Sequence, residues 1–174
     1  MAAEAGDGPG AIAALGSFRL LCAHRRGPYG VSAWTAQIED WTGAGGAEWY
    51  VGRPLLVTAN DYGLQLFNGD TGVVIAAESG LLAAFERTSV SPTRLAAIDT
   101  VYAMTVHKAQ GSQFDTAAVV LPERTSPILT RELLYTAVTR AREELIVVGS
   151  EEAIRAAVAR PVARASGLRA RLMG

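Results

Sequence analysis

Residues 105–115 read Thr-Val-His-Lys-Ala-Gln-Gly-Ser-Gln-Phe-Asp, gathering hydroxyl, imidazole, ammonium and amide groups around one glycine, Gly111. Strand-like apolar runs flank them, so they form a loop at the carboxyl end of a strand. There, side chains and backbone N–H groups can hold phosphate oxygens. Taken alone, His107 reads first as a satisfied turn histidine. A second group, residues 134–142, sets Arg140 and Arg142 at the end of a helix. Arg140 is a candidate arginine finger, because its planar, permanently charged fork suits a γ-phosphate. Its alternative is to offset the negative carboxyl end of the helix. A third group, Cys22-Ala23-His24-Arg25-Arg26-Gly27-Pro28, puts two arginines just after a strand, where open α/β sheets collect ligands. By itself it is also a plain surface turn.

One count restricts the chemistry further. Lys108 is the only lysine beside fifteen arginines. A Walker A loop requires Gly-x-x-x-x-Gly-Lys-Ser/Thr, because its lysine reaches the β- and γ-phosphates. Lys108 has no glycine in the required place before it and no hydroxyl after it. If the chain handles ATP, it does so as half of a site.

The elements that must position these groups alternate in type. Residues 1–17 are Ala, Gly and acids without period, and read as a disordered lead-in. A strand is expected at 18–23. Val31, Trp34, Ile38 and Trp41 then recur at helical spacing with Ser32 as cap, and the helix stops in the glycines at 43–46. From 51 to 98 the texture changes to short β-like runs at 55–58, 72–76 and 81–85. Asn60-Asp61 and Asn68-Gly69-Asp70 supply turn chemistry between them. Strands follow at 102–106 and 117–121. Thr130 caps a helix whose apolar face is Leu133, Leu134, Ala137, Val138 and Ala141; a strand at 145–148 and a helix opened by Ser150-Glu151-Glu152 come last. Alternating strands and helices imply an α/β parallel sheet, interrupted by a β-rich insertion at 51–98. The arginines at 155, 160, 164, 169 and 171 read as a solvated helix face.

The chain has 174 residues, 49% hydrophobic, with net charge −1. That suits one domain with a small insert and carries no overall nucleic-acid charge signature, so any DNA contact needs a local patch. Cys22 is the only cysteine, which excludes an intrachain disulfide and permits a reducing compartment. No apolar run is long enough to span a bilayer, so no membrane role is expected, and a cytoplasmic location is.

Residues 105–115 and 134–142, the latter as Tyr-Thr-Ala-Val-Thr-Arg-Ala-Arg from Tyr135, resemble motifs V and VI of superfamily 1 helicases. Residues 19–31, 52–70 (with Asn60-Asp61-Tyr62 and Leu66-Phe67-Asn68-Gly69-Asp70), 129–135 and 165–168 narrow the resemblance to the RecD branch, the alpha subunits of exodeoxyribonuclease V (RecBCD). The resemblance covers about residues 18–172. It implies the second RecA-like, P-loop NTPase-type motor domain (2A) at 18–50 and 99–150. It also implies an SH3-like 2B β-barrel insertion at 51–98, with 151–174 as a carboxyl-terminal helix and basic tail.

In that family ATP with Mg²⁺ lies between two RecA-like domains, held mainly by the first, which these residues do not include. The resemblance implies that Arg25 and Arg140 meet at one cleft edge, aimed at the γ-phosphate. Gly111 and Gln113 lie near sugar and phosphates, Thr105 and His107 touch the single-strand backbone, and Asn60 and Tyr62 lie near the translocating strand. It implies no metal ligand of this chain's own. Gln113 stands where many relatives have glutamate, which puts its ribose contact in question. The expected function is the carboxyl-terminal half of an ATP-dependent 5′→3′ DNA helicase in double-strand break repair and recombination, inactive by itself. Its partners would be single-stranded or duplex DNA, a first motor domain in cis or trans, and RecB- and RecC-like subunits. The alternative is a non-catalytic DNA- or partner-binding module left from a truncated helicase gene, since Met1 and the lead-in look like a start within a longer gene.

Overall fold

The computed structural model describes residues 1–44 and 46–162. Sequence readings that fall on Gly45 and on 163–174, including Arg164, Arg169, Arg171 and the 165–168 stretch, lie outside the described residues.

In chain order the elements are α1 (Gly8–Ser17), β1 (Phe18–Cys22), α2 (Val31–Trp41), β2 (Pro54–Val57), β3 (Thr71–Ala77), β4 (Gly80–Phe85), β5 (Ser89–Val90), β6 (Ile98–Thr100), β7 (Ala103–Thr105), β8 (Phe114–Val120), α3 (Arg131–Val138), β9 (Ala141–Val148) and α4 (Glu151–Ala159). They form two sheets. One is parallel, in the order β7-β1-β8-β9; the other is antiparallel, in the order β5-β4-β3-β2-β6. The chain is thus α/β with a parallel four-stranded sheet, and the β-rich stretch folds as a separate five-stranded sheet.

Both faces of the parallel sheet are covered near its centre, as parallel sheets require. On one face Leu21, Ala117 and Val119 pack with Leu129, Leu133, Ala137, Ala153 and Ala157, under α3 and α4. On the other, Leu20, Cys22, Ala118 and Val120 meet Val31, Trp34 and Ile38 of α2. Leu21 and Leu129 are fully buried, each removing about 2–3 kcal/mol of apolar exposure. The antiparallel sheet has its own core of Leu55, Val57, Leu66, Val74, Ala83, Phe85 and Val90.

Three local expectations are corrected. Residues 1–17 are not a disordered lead-in, because Gly8–Ser17 is helical. Asp7 accepts from Gly10 N at 2.9 Å, a proline occupies the first turn, and Ala11 is buried against Val73, Ile75 and Ala84. Cap, proline and tertiary packing outweigh the poor Gly/Ala periodicity. Ser32 is not the cap of α2. That position falls to Gly30, without a side-chain cap bond, while the Ser32 hydroxyl donates back to Arg25 O at 2.9 Å. Ala141 does not extend the α3 face, because α3 stops at Val138 and Ala141 opens β9, paired with Phe114.

Candidate functional site

The parallel sheet fixes where each motif lies. β1 delivers residues 24–30 at its carboxyl end, and β7, in register with it from Leu20↔Ala103 to Cys22↔Thr105, delivers residues 106–113 alongside. Val106 N donates to Cys22 O at 3.0 Å, joining the roots of the two loops. The first loop is tight. Gly27 has φ +93°, and a Cβ on Gly30 would sit 2.6 Å from the Arg26 backbone, so larger residues there would force the turn open. Val31 N and Ser32 N donate to His24 O and Arg25 O, each at 3.0 Å. The Arg25 backbone is therefore fixed, while its exposed guanidinium has no hydrogen-bond or ion-pair partner among the described residues.

Arg25, Asp99, Thr105, His107 and Lys108 line one cleft of about 400 Å³ beside β7. Lys108 Nζ stands 3.6 Å from Asp99 Oδ2, with both groups well exposed, a weak surface pair. The Thr105 hydroxyl accepts from Lys108 N at 3.2 Å, which shapes the turn and leaves the exposed His107 ring facing solvent.

Arg140 sits elsewhere. It lies between α3 and β9, and its carbonyl accepts from Phe114 N at 2.9 Å where β8 begins. Its side chain spans the far half of the 106–113 loop. Nη1 donates to Ser112 O at 3.0 Å and reaches Ala109 O at 3.5 Å. Nε donates to Thr136 O at 3.0 Å, and Nη2 to Thr139 Oγ1 at 3.1 Å. Gly111, inside this strap, has φ +87° with open space around it, so the backbone conformation is what calls for glycine. Gln113 is exposed beside it.

Arg25 and Arg140 therefore do not meet at one cleft edge. All strands of this sheet run parallel; Arg25 follows the carboxyl end of β1, and Arg140 precedes the amino end of β9. The 106–113 loop joins the two places, with Thr105, His107 and Arg25 at one end and Gly111, Gln113 and Arg140 at the other. Neither arginine is paired with an acid among the described residues, so each keeps uncompensated positive charge. Arg142, in contrast, stands 3.6 Å from Asp115.

Asn60 and Tyr62 line neither place; they lie on the antiparallel sheet's exposed 58–70 connection. Asn60 Oδ1 accepts from Asn68 N at 2.9 Å, and Asn60 Nδ2 donates to the Tyr62 hydroxyl at 3.3 Å. Asp61 and Leu66 form a bridge. Gln65 takes φ 55° to close the turn, an uncommon conformation for a residue with a Cβ. The Tyr62 ring, 76% exposed, meets Phe67 edge-on at 6.2 Å between centroids. A larger groove, about 800 Å³, runs between α1 and the antiparallel sheet past Gln65 and Phe85 and holds none of the predicted residues.

Arg19 was not anticipated, although an arginine inside the apolar run Phe-Arg-Leu-Leu-Cys was a visible signal. It is 2% exposed. Its guanidinium donates to Val101 O and Leu15 O, and lies 5.1 Å from the Phe114 ring centroid. Burial pulls it down to about 10, which leaves it charged at neutral pH. It ties α1, the exit from the second sheet and the start of β8 together. Burial also pushes the Cys22 thiol up to about 12. Among the described residues no cluster of His, Cys, Asp and Glu is placed to hold a metal ion, and no helix is long and apolar enough to cross a membrane.

Comparison with known proteins adds three findings. Residues 100–148 match the UvrD-like helicase C-terminal domain. The chain is 54% identical over 177 residues to the RecBCD enzyme subunit RecD of Mycolicibacterium smegmatis, covering 98% of this chain and 32% of the relative. It is 37% identical to the ATP-dependent RecD2 DNA helicase of Deinococcus radiodurans, over 88% of this chain and 22% of that one. The chain thus spans about a third or less of the length of these relatives. In fold it is similar to a Bacteroides Pif1 helicase solved with ADP-AlF3 and single-stranded DNA, with TM-score 0.58 and 14% identity, over 91% of this chain and 44% of that one.

Proposed function

Because this chain belongs to the RecD-like superfamily 1 helicases and carries their C-terminal, UvrD-like part, we propose that it acts as the second RecA-like motor domain (2A) of such a helicase. Its antiparallel sheet (residues 51–98, with β6 running two residues further) is the SH3-like 2B insertion. The observation that carries this reading is Arg140, a permanent cation held on carbonyl and hydroxyl oxygens, with no carboxylate partner among the described residues, beside the Gly111 turn. A guanidinium so held offers a polyanion a charge in a fixed position that no ion pair has to give up.

ATP with Mg²⁺ fits this donor set as half a site, and contributes a γ-phosphoryl group transferable to water. Arg140 would face the γ-phosphate and stabilise charge developing there, while the N–H groups around Gly111 and the Gln113 amide face the sugar and phosphates. Closing and reopening the cleft against a first motor domain would alternately tighten and loosen the contacts of Thr105 and His107 with the single strand. Such contacts read phosphate, so binding is sequence-independent and salt-sensitive. Direction 5′→3′, work in double-strand break repair in the cytoplasm, and RecB- and RecC-like partners follow from the family reading.

For Arg25 the family resemblance suggests the γ-phosphate. The shared cleft with Thr105 and His107 favours a second assignment, to the DNA backbone.

A chimera in which this chain replaces the matched stretch of the M. smegmatis relative tests the proposal. Restored DNA-stimulated ATP hydrolysis and unwinding support it. A folded chimera that binds DNA without hydrolysing ATP would indicate the binding-module alternative.

A further inference from the structure

The free edge of the parallel sheet is unusually apolar. β9 is an outermost strand, eight residues long. Leu145, Ile146, Val147 and Val148 are 40%, 40%, 36% and 46% exposed. Paired residues of neighbouring strands share a face. Leu145 and Val147 lie opposite Ala117 and Val119, on the α3/α4 face, while Ile146 and Val148 lie opposite Ala118 and Val120, on the α2 face. The exposed side chains are therefore on both faces of the strand, beside a row of backbone groups unpaired among the described residues. None of the devices that protect edges is present at 145–148, where there is no lysine, proline or charge. Apolar runs open on both faces are typical of interior strands of parallel sheets.

We infer that β9 is an interior strand in the working protein, covered by an extended strand and an attached apolar helix from the two thirds of a RecD-like polypeptide that lie outside the matched stretch. This rests on the family reading. The M. smegmatis relative has about two thirds of its length beyond the match, enough to supply both strand and helix. A second copy pairing edge to edge would satisfy the backbone row only, and would leave Leu145 to Val148 open above and below. The acidic end of the strand adds chemistry: Arg142 is engaged by Asp115 and Glu144 by Thr116, so among the described residues Glu143 is the charge of this strand left for a basic residue of the incoming segment.

Amide hydrogen exchange without nucleotide or DNA tests this independently of the ATP and DNA assignments. The probes are the 174-residue chain and the intact M. smegmatis relative, each with sedimentation to fix its mass. Expected are fast exchange at those amides within 143–148 that point away from β8 in the monomeric chain, the alternate ones being bonded to β8, and at least 100-fold slower exchange at the aligned outward amides of the relative. Equal, fast exchange in both overturns the proposal. So does slow exchange in the chain alone, meaning its own residues cover the edge if it is monomeric and a second copy if it is dimeric. In the chain, Ile146→Lys should leave the far-ultraviolet spectrum unchanged and lower Tm by only a few degrees, for the part of the side chain that is buried; unfolding by this change would show the strand already covered and contradict the inference.

Discussion

The Arg140 guanidinium donates from Nη1 to the carbonyl oxygen of Ser112 at 3.0 Å, bridging 28 residues of sequence. One side chain thereby holds the end of α3, the start of β9 and the turn around Gly111 in a single arrangement. The carbonyl partners are neutral, so the positive charge is positioned without being cancelled. Such a fixed, uncancelled charge is what the role proposed for Arg140 would need, because its orientation is set before an anion comes.

Arg19 should matter by shape and hydrogen bonding rather than by charge alone. It is buried without an acid, which costs several kcal/mol, and its donations to Val101 O and Leu15 O return a similar amount. Arg19→Ala, which leaves two carbonyls and a cavity, should lower unfolding free energy by about 3 kcal/mol in urea titrations. Arg19→Met, which refills the space, should recover at least half of that loss. Equal losses in the two variants would mean the charge itself is what stabilises.

Cys22 should be silent in the folded chain. Its thiol is buried and pushed from 9.0 up to about 12. The folded state therefore keeps its proton where the unfolded state loses it. The contribution is fully present below pH 9 and is lost as pH rises through about 12. A thiol reagent at pH 8 should label Cys22 at least 100-fold slower in buffer than in urea. Cys22→Ala should flatten part of the fall in stability between pH 9 and 12, and an unchanged slope would contradict the burial argument.

The two groups proposed to face DNA should separate by salt. Tyr62 is exposed and offers a ring, so Tyr62→Ala in the chimera should weaken binding to an oligo-dT strand about tenfold, with the salt slope unchanged. Arg25 offers charge. Arg25→Ala should reduce the slope of log affinity against log salt by about one, while kcat for ATP falls less than tenfold. A thousandfold loss of kcat at unchanged DNA affinity would return Arg25 to the γ-phosphate. Fluorescence anisotropy across a salt series, with phosphate release measured alongside, reads both.

Much of this was legible in the residues. The spacing of Val31, Trp34, Ile38 and Trp41 marked α2 because a one-sided apolar face leaves that imprint. Ser150 and Thr130 marked helix starts because their hydroxyls do accept, from Ala153 N and Leu133 N. Helix α1 was hidden because Ala and Gly carry little periodicity, and its burial depends on Val73 and Ile75, more than 50 residues away. Strands β5 and β6 are two and three residues long, too short for alternation to register. The separation of Arg25 from Arg140 was hidden for a different reason. Motif order gives no strand direction, and only the parallel register sends one arginine to each end of the sheet. Apart from the Thr139 hydroxyl, the partners of Arg140 are backbone carbonyls, which every residue has, so side-chain types announced little of this arrangement.

The most direct test of the central claim is the ATP turnover of the chimera with and without Arg140. The chain alone should release no phosphate above background, since it lacks a Walker A loop. The chimera should hydrolyse ATP with DNA stimulation, and Arg140→Ala should lower its kcat by about 10³-fold or more while the protein stays folded. A kcat within tenfold of the parent, or steady phosphate release by the isolated chain that Arg140→Ala abolishes, would contradict the account.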